Sequence, residues 1–470
     1  MKKFLGKFIG FSFGPILGAL IAFITIPVTT YFISPEEYGK SGMFTLYLGL
    51  VLTLLYLGLD QAYTREFNEA ENKNNLLLNA LIFPLLLSIV ITIFICLNTD
   101  YISLLLFGDA SYTYAAITFG LLLIIMVIER FLLLSIRMEE KAIEFSIVNI
   151  LVKLGILILT LIFILFIRRD FLAVIYSTFF GQVLADIYLI IRYRSRLNFR
   201  KMHFDKELLI QLAKFGFPLI FAAVMANLLN SLDRIFLRIY STFYEIGILT
   251  AALKVSATLI IVQTSFANFW VPTAYRWYNE KKHIKHFEFI SHSILLIMSV
   301  GFCFILLFKD IIVVLLSNEY YDAKFIIGLL CLQPIMYTVS ETTTLGIVFS
   351  KKSYLNLWVG IIALLPNIAL NLILVPKYGA VGAAISTGVS FLLFFASRSY
   401  FSNKNWEGFS VKRHYLVAVI LFIAGVINTN EHVQIFNMLL LLIVLVIQMP
   451  TIKQMIKFIR KEKQGEWDFS

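Results

Sequence analysis

Much of what marks a soluble enzyme is missing from this chain of 470 residues. Charged residues make up only 15%, against about 25% in soluble domains. The three cysteines, Cys96, Cys303 and Cys331, fall in apolar runs without metal or redox spacing, and read as small core residues. There is no G-x-x-x-x-G-K-[ST] loop, which excludes ATP hydrolysis by that route. H-E-x-x-H, Cys/His clusters and a serine nucleophile elbow are absent as well. No large outer loop is expected that could hold a catalytic domain. These absences argue against an enzyme.

Apolar length is what the chain has instead. Hydrophobic residues make up 59%, and the mean hydropathy is +0.84. Runs near 20 residues recur, each able to cross roughly 30 Å of hydrocarbon. They predict an all-α integral membrane protein of about 14 transmembrane helices, at 9–32, 40–61, 76–97, 112–134, 144–167, 171–191, 212–233, 247–270, 288–308, 323–349, 354–375, 380–397, 415–428 and 433–449. The first run is followed by many others and does not read as a cleaved signal peptide.

The same signposts are written twice. Phe13-Gly14-Pro15 returns as Phe215-Gly216-Phe217-Pro218. Ser34-Pro35-Glu36-Glu37-Tyr38-Gly39 returns as Thr242-Phe243-Tyr244-Glu245-Ile246-Gly247. Ala62-Tyr63-Thr64-Arg65 is echoed by Ala274-Tyr275-Arg276, and the segment 102–109 by 311–319. The repeat predicts two pseudo-symmetric six-helix lobes, 1–191 and 208–400, joined by a basic linker at 192–207. A further helix pair at 401–449 and a basic tail at 450–470 follow. Two like bundles are what alternating access requires.

The net charge of +11 invites a nucleic-acid reading, but its distribution does not. With the N-terminus inside, alternate loops carry about 30 of the 40 Lys and Arg residues, the pattern of cytoplasmic loops. Both termini are therefore expected in the cytoplasm. The basic tail would also suit anionic lipid.

Ionisable groups in hydrocarbon are costly, about 2.5–3.5 kcal/mol each on insertion scales, and tend to face a cavity or a partner. In the seventh span Asn227, Asn230, Ser231, Arg234 and Arg238 recur at spacings of three and four. They are expected on one helical face, with Asp233 beside them. Lys254, Thr258, Ser265 and Asn268 repeat this in the eighth span, and Asn367 and Asn371 in the eleventh. Lys153 and Lys254 lie within spans, as does Glu341; Arg65 and Arg276 close the second and eighth spans at the expected inner mouth. Arg65, Lys153, Arg234, Arg238, Lys254 and Arg276 are candidates for holding an anionic headgroup, because guanidinium and ammonium groups bind phosphate oxygens. Asn227, Asn230, Asn268, Asn367 and Asn371 are candidates for a polar lining, or equally for helix-to-helix hydrogen bonds. Asp60, Asp233 and Glu341 are candidates for ion coupling. Gly14-Pro15 and Gly216-Phe217-Pro218 are expected to break the starts of the first and seventh spans.

Taken together, Phe13-Gly14-Pro15, Ser34 to Gly39, Gly58 to Phe67, Asp233-Arg234, Glu245-Ile246-Gly247, Trp270-Val271-Pro272 and Val375 to Ala384 resemble the polysaccharide-exporter branch of the MOP superfamily, which includes the Wzx flippases. The likeness spans residues 5–400. It implies a flippase of undecaprenyl-diphosphate-linked oligosaccharides in the bacterial cytoplasmic membrane. It also implies no cofactor, and coupling to a proton or sodium gradient. The implied partners are the lipid-linked oligosaccharide, membrane lipid, and polymerase and glycosyltransferases of the same pathway, with no nucleic acid. The alternatives are a lipid II or teichoic-acid precursor flippase, a MATE-like drug antiporter and, from another class, a membrane polysaccharide polymerase.

Overall fold

A computed structural model describes residues 17–18, 20–197, 203–352 and 354–462. Phe13-Gly14-Pro15 and part of the linker lie outside the described residues. The chain divides into two compact units, Met1–Ser231 and Leu232–Ser470. Among the described residues there are only helices.

The first unit contains α1 (Leu20–Phe32), α2 (Pro35–Leu55), α3 (Leu59–Glu66), α4 (Lys73–Leu97), α5 (Thr99–Phe107), α6 (Thr113–Met138), α7 (Ala142–Phe166), α8 (Phe171–Arg192) and α9 (Lys206–Leu229). The second contains α10 (Leu232–Tyr240), α11 (Phe243–Asn279), α12 (Ile284–Leu307), α13 (Lys309–Val314), a 3-10 segment Asn318–Phe325, α14 (Ile327–Thr343), α15 (Leu345–Phe349), α16 (Leu355–Asn405), α17 (Lys412–Ile427), α18 (Gln434–Ile447) and α19 (Met449–Glu462).

Nine of the described helices are long and apolar enough to cross a membrane, or eleven if two bent pairs each count as one span. The expected fourteen is not reached on that measure. One reason is that α17 has only 16 residues. Another is that α16, at 51 residues, is counted once although it turns back on itself at Gly379 (φ 53°, ψ −129°). A Cβ added to Gly382 would lie 2.5 Å from the Leu374 carbonyl oxygen. Eight residues of straight helix would separate those positions by about 12 Å, so the two halves of α16 run back to back. This is the turn expected between 375 and 380.

The core of the first unit is built on α2, α3, α4, α6 and α8. Phe44, Tyr63, Phe107, Phe131 and Phe171 are buried in it. Phe107, Tyr112 and Phe171 meet at ring separations of 4.8–5.9 Å, distances at which aromatic edges and faces attract. The second unit has a smaller aromatic cluster of Trp270, Phe287, Phe349 and Trp406.

Two sequence expectations change here. Gly216 and Pro218 do not open the seventh span. Its helix α9 begins at Lys206, where the Asp205 side chain accepts from Leu208 N at 3.0 Å. That cap satisfies a free N-terminal amide and starts the helix early. Gly216 serves packing instead: a Cβ on Gly58 would fall 2.1 Å from the Gly216 carbonyl oxygen, so α3 can meet α9 only backbone to backbone. Secondly, α9 packs on α2 and α3, which puts it with the first unit, whereas the sequence reading separated the lobes at 192–207.

The repeat appears in detail within each unit. Ser34 and Thr242 precede α2 and α11 in extended conformation. Glu37 then accepts from Phe171 N at 3.1 Å, capping α8. Glu245, its echo, accepts from Ala380 N at 2.8 Å, capping the returning half of α16.

Candidate functional site

The seventh-span polar face is not one surface. The helix ends at Leu229, and α10 starts at Leu232. Ser231 N bonds to Leu228 O at 2.9 Å, a tightened last turn. Asn230 and Ser231 compete for backbone hydrogen bonds and favour such an ending. Asn227 therefore belongs to the first unit, where its Nδ2 donates to Thr53 Oγ1 at 3.1 Å. Asp233, Arg234 and Arg238 belong to the second, and Arg238 lies 4.7 Å from the Phe243 ring. Asn230 is exposed.

Around Asp233 the second unit buries a polar cluster. Asp233 is 5% exposed. Its Oδ1 accepts from Asn371 Nδ2 at 2.9 Å, and its Oδ2 accepts from the Thr387 hydroxyl. Asn371 Nδ2 also donates to Asn367 Oδ1 at 3.1 Å. Three polar atoms here, Asn367 Nδ2, Asn371 Oδ1 and Arg234 Nε, are buried without a hydrogen-bond partner. Unsatisfied buried groups of this kind are costly. The carboxylate is held by neutral donors, so nothing bonded to it cancels its charge.

The other two acidic candidates are sealed by arginines. Arg130 Nη2 reaches Asp60 Oδ2 at 2.7 Å and Nε reaches the same oxygen at 3.2 Å. Arg398 Nη1 reaches Glu341 Oε1 at 3.0 Å and Ser340 Oγ at 2.7 Å. Charge-assisted bonds of this length are strong ties between helices.

The cationic candidates sit in different settings. Arg65 is exposed; its guanidinium lies over Phe215 at 4.3 Å. It shares an open cleft of about 400 Å³ with Lys214, Gln211 and Glu207. Beneath it Gln211 Nε2 donates to the buried Glu66 at 2.9 Å. Lys153 is exposed on the first unit, and Lys254, Asn268 and Arg276 are exposed along α11 on the second.

The sequence reading missed four partners. Arg130 and its neighbour Glu129 lie inside the span expected at 112–134, where the criterion that selects Lys153 selects them too. Gln182 Nε2 donates to the buried Asp186 Oδ2 at 2.8 Å. Arg398 lies one residue past an expected span end. Thr387 gives no sequence signal, being one hydroxyl among many in apolar runs. Among the described residues no group of three or more His, Cys, Asp or Glu is placed to hold a metal ion.

Comparison with known proteins agrees with this architecture. The family model described as "Polysaccharide biosynthesis protein" matches residues 5–278. The chain is 21% identical over 442 residues to the probable low-salt glycan biosynthesis flippase Agl15 of Haloferax volcanii, covering 90% of each chain. It is 22% identical over 219 residues to the capsular polysaccharide biosynthesis protein CapF of Staphylococcus aureus, covering 44% of this chain and 54% of that one. Among solved structures, the lipid II flippase MurJ in an inward closed conformation aligns with a TM-score of 0.70 at 15% identity, over 96% of this chain and 99% of its own. An inward-facing MATE multidrug transporter of the MOP superfamily aligns at 0.64 and 18% identity, over 82% and 94%. The chain thus has the MurJ/MATE fold.

Proposed function

This chain belongs to the polysaccharide biosynthesis protein family, and from that membership we propose that it is a flippase. Its substrate is an undecaprenyl-diphosphate-linked oligosaccharide, moved from the inner to the outer leaflet of the bacterial cytoplasmic membrane by alternating access. Both termini lie in the cytoplasm. The observation that carries the reading is the family match, joined to a fold shared with a lipid II flippase over 96% of the chain. Sugar hydroxyls lose their water partners in hydrocarbon, so the sugar block needs a polar route.

Roles follow from the settings of the side chains. Arg65 and Lys214, in one open cleft, are suited to meet the anionic diphosphate as it arrives. Lys153, Lys254 and Arg276, exposed on their units, are suited to follow it. Asp233 is assigned to ion coupling, because it is buried and held by an amide and a hydroxyl rather than by a bonded cation. A proton or a sodium ion would bind the carboxylate directly, where Arg234 acts only electrostatically.

The test is the leaflet distribution of the lipid-linked repeat unit in a strain lacking this protein. Accumulation on the cytoplasmic face, with surface polymer lost, is the expected result, and mass analysis would name the sugar. Units that reach the outer face and stay unpolymerised would overturn the flippase and favour a polymerase. Lys254→Ala and Arg65→Ala should each reduce export at unchanged membrane level. Asp233→Asn should abolish the dependence of export on the ion gradient.

A further inference from the structure

A cavity of about 390 Å³ opens at one end of the second unit, where the α12–α14 connection meets the α17–α18 turn. None of the groups discussed above lines it. Its floor is Lys309, only 3% exposed, and beside it stands Lys324, at 4%. Lys309 Nζ donates to Asn428 O at 3.1 Å. That uses one of three ammonium donors.

The wall behind Lys309 is tied together by hydrogen bonds. Asn428 Nδ2 donates to Asn437 Oδ1 at 2.7 Å and Asn437 Nδ2 to Asn428 Oδ1 at 3.0 Å, and Asn437 Nδ2 also donates to Leu306 O at 3.1 Å. Lys324 reaches Glu431 Oε2 at 2.9 Å and lies 3.8 Å from Asp310. Gln434 Nε2 donates to Asp310 Oδ2 at 2.6 Å, and the Tyr321 hydroxyl donates to Glu431 Oε1 at 3.2 Å. The Lys324 hydrogen bond holds the Glu431 carboxyl below its ordinary value, so it stays an acceptor. His432, in the lining, takes a positive φ of 58°, and Ser317, which precedes the lining residue Asn318, takes one of 104°. Backbone in that region is uncommon for residues with a Cβ.

The charges of the lining disfavour a phosphate. Two ammonium groups face two carboxylates, so the local charge nearly cancels and a phosphate would meet repulsion from Asp310 and Glu431. Val313, Val314, Val433 and the Tyr321 ring form the apolar part of the lining. Alternating donors and acceptors beside a tyrosine ring suit a group whose every hydroxyl both donates and accepts. The volume falls in the ordinary range for small-molecule sites, about 300–1,000 Å³.

We propose that this cavity is a saccharide-binding site at the end of the second unit, with Lys309 and Gln434 donating to sugar hydroxyls and Asp310 and Glu431 accepting from them. The assignment rests on the lining and does not depend on the flippase reading.

The test is saturation-transfer NMR on the full chain in detergent, with N-acetylglucosamine and methyl glucoside as probes and inorganic phosphate as competitor. A saturable sugar signal is expected, weakened at least tenfold in Gln434→Ala and in Asp310→Ala. Both alter rim positions, so folding should persist; Lys309→Met, at the floor, should abolish the signal. Equimolar phosphate should leave it unchanged. No saturable signal in the wild type, equal signals in all variants, or displacement by phosphate would each overturn the proposal. A chain that flips its lipid but binds no sugar here loses this site alone. One that binds sugar and does not flip keeps the site and loses the earlier reading.

Discussion

Glu37 and Glu245 occupy the same place in the two repeats and do the same thing: each accepts from a backbone amide at the start of a helix that follows a turn. Their surroundings differ. Glu37 is tied to Lys40 at 2.6 Å, and that lysine also lies 5.3 Å from the Phe171 ring it helps to seat. Glu245 instead lies against Gly379, where an added Cβ would come within 2.8 Å of its carboxyl carbon. One repeat stabilises the cap with a counter-charge, the other by bringing bare backbone close. A duplicated motif thus keeps its hydrogen bond while the means of supporting it diverges.

The buried acids carry the comparison further. In each unit a buried carboxylate is locked to an arginine, Asp60 with Arg130 and Glu341 with Arg398. Others are hydrogen-bonded by neutral donors, Asp186 by Gln182 in the first unit and Asp233 by Asn371 and Thr387 in the second. An arginine-locked acid ties helices together, and removing one partner strands a charge. An acid held by amides and hydroxyls has no cation bonded to it, although Arg234 acts on Asp233 electrostatically.

The contrast can be broken in order of expected effect. Glu341→Gln strands Arg398, 12% exposed, and should cost about 3–5 kcal/mol. Thermal melts in detergent would show it, and a matching loss should be largely recovered in Glu341→Gln/Arg398→Met. Asp60→Asn should cost less, about 1–3 kcal/mol, because Arg130 is 39% exposed and can turn to water. Equal losses at both sites would dissolve the distinction between them. Gly379→Ala should cost about 1–3 kcal/mol for the positive-φ backbone alone, with more from the approach to Glu245. The cap itself is smaller: Glu245→Ala should cost about 0.5–2 kcal/mol, and Glu37→Ala more than that, since Lys40 loses its partner.

The smallest effect is one of pH. Burial alone would raise the Glu139 carboxyl, but hydrogen bonds from Arg196 and Lys141 outweigh it and hold the group below its ordinary value of 4.5. A depressed carboxylate stabilises the fold above that value and loses its contribution as pH falls through the folded one. Melting curves of wild type and Glu139→Gln should therefore differ at pH 7 and converge in acid. A gap that persists at pH 3 would show that the Arg196 contact at 2.5 Å acts through packing instead.

Apolar run length, charge asymmetry and the doubled signposts were enough, from sequence alone, for a multi-pass helical membrane protein with an internal repeat. They were enough because hydrocarbon thickness and the cost of unbonded backbone act on local sequence. Glu129 and Arg130 were open to the same rule and were passed over. Which polar groups meet was decided only in three dimensions. Asn227 and Asp233 stand six positions apart, yet a broken helix sends them to different units. Asp233 instead meets Asn371 and Thr387, far along the chain. A periodic pattern fixes faces only while the helix continues, and whether a carboxylate finds an arginine or an amide depends on which helix packs beside it.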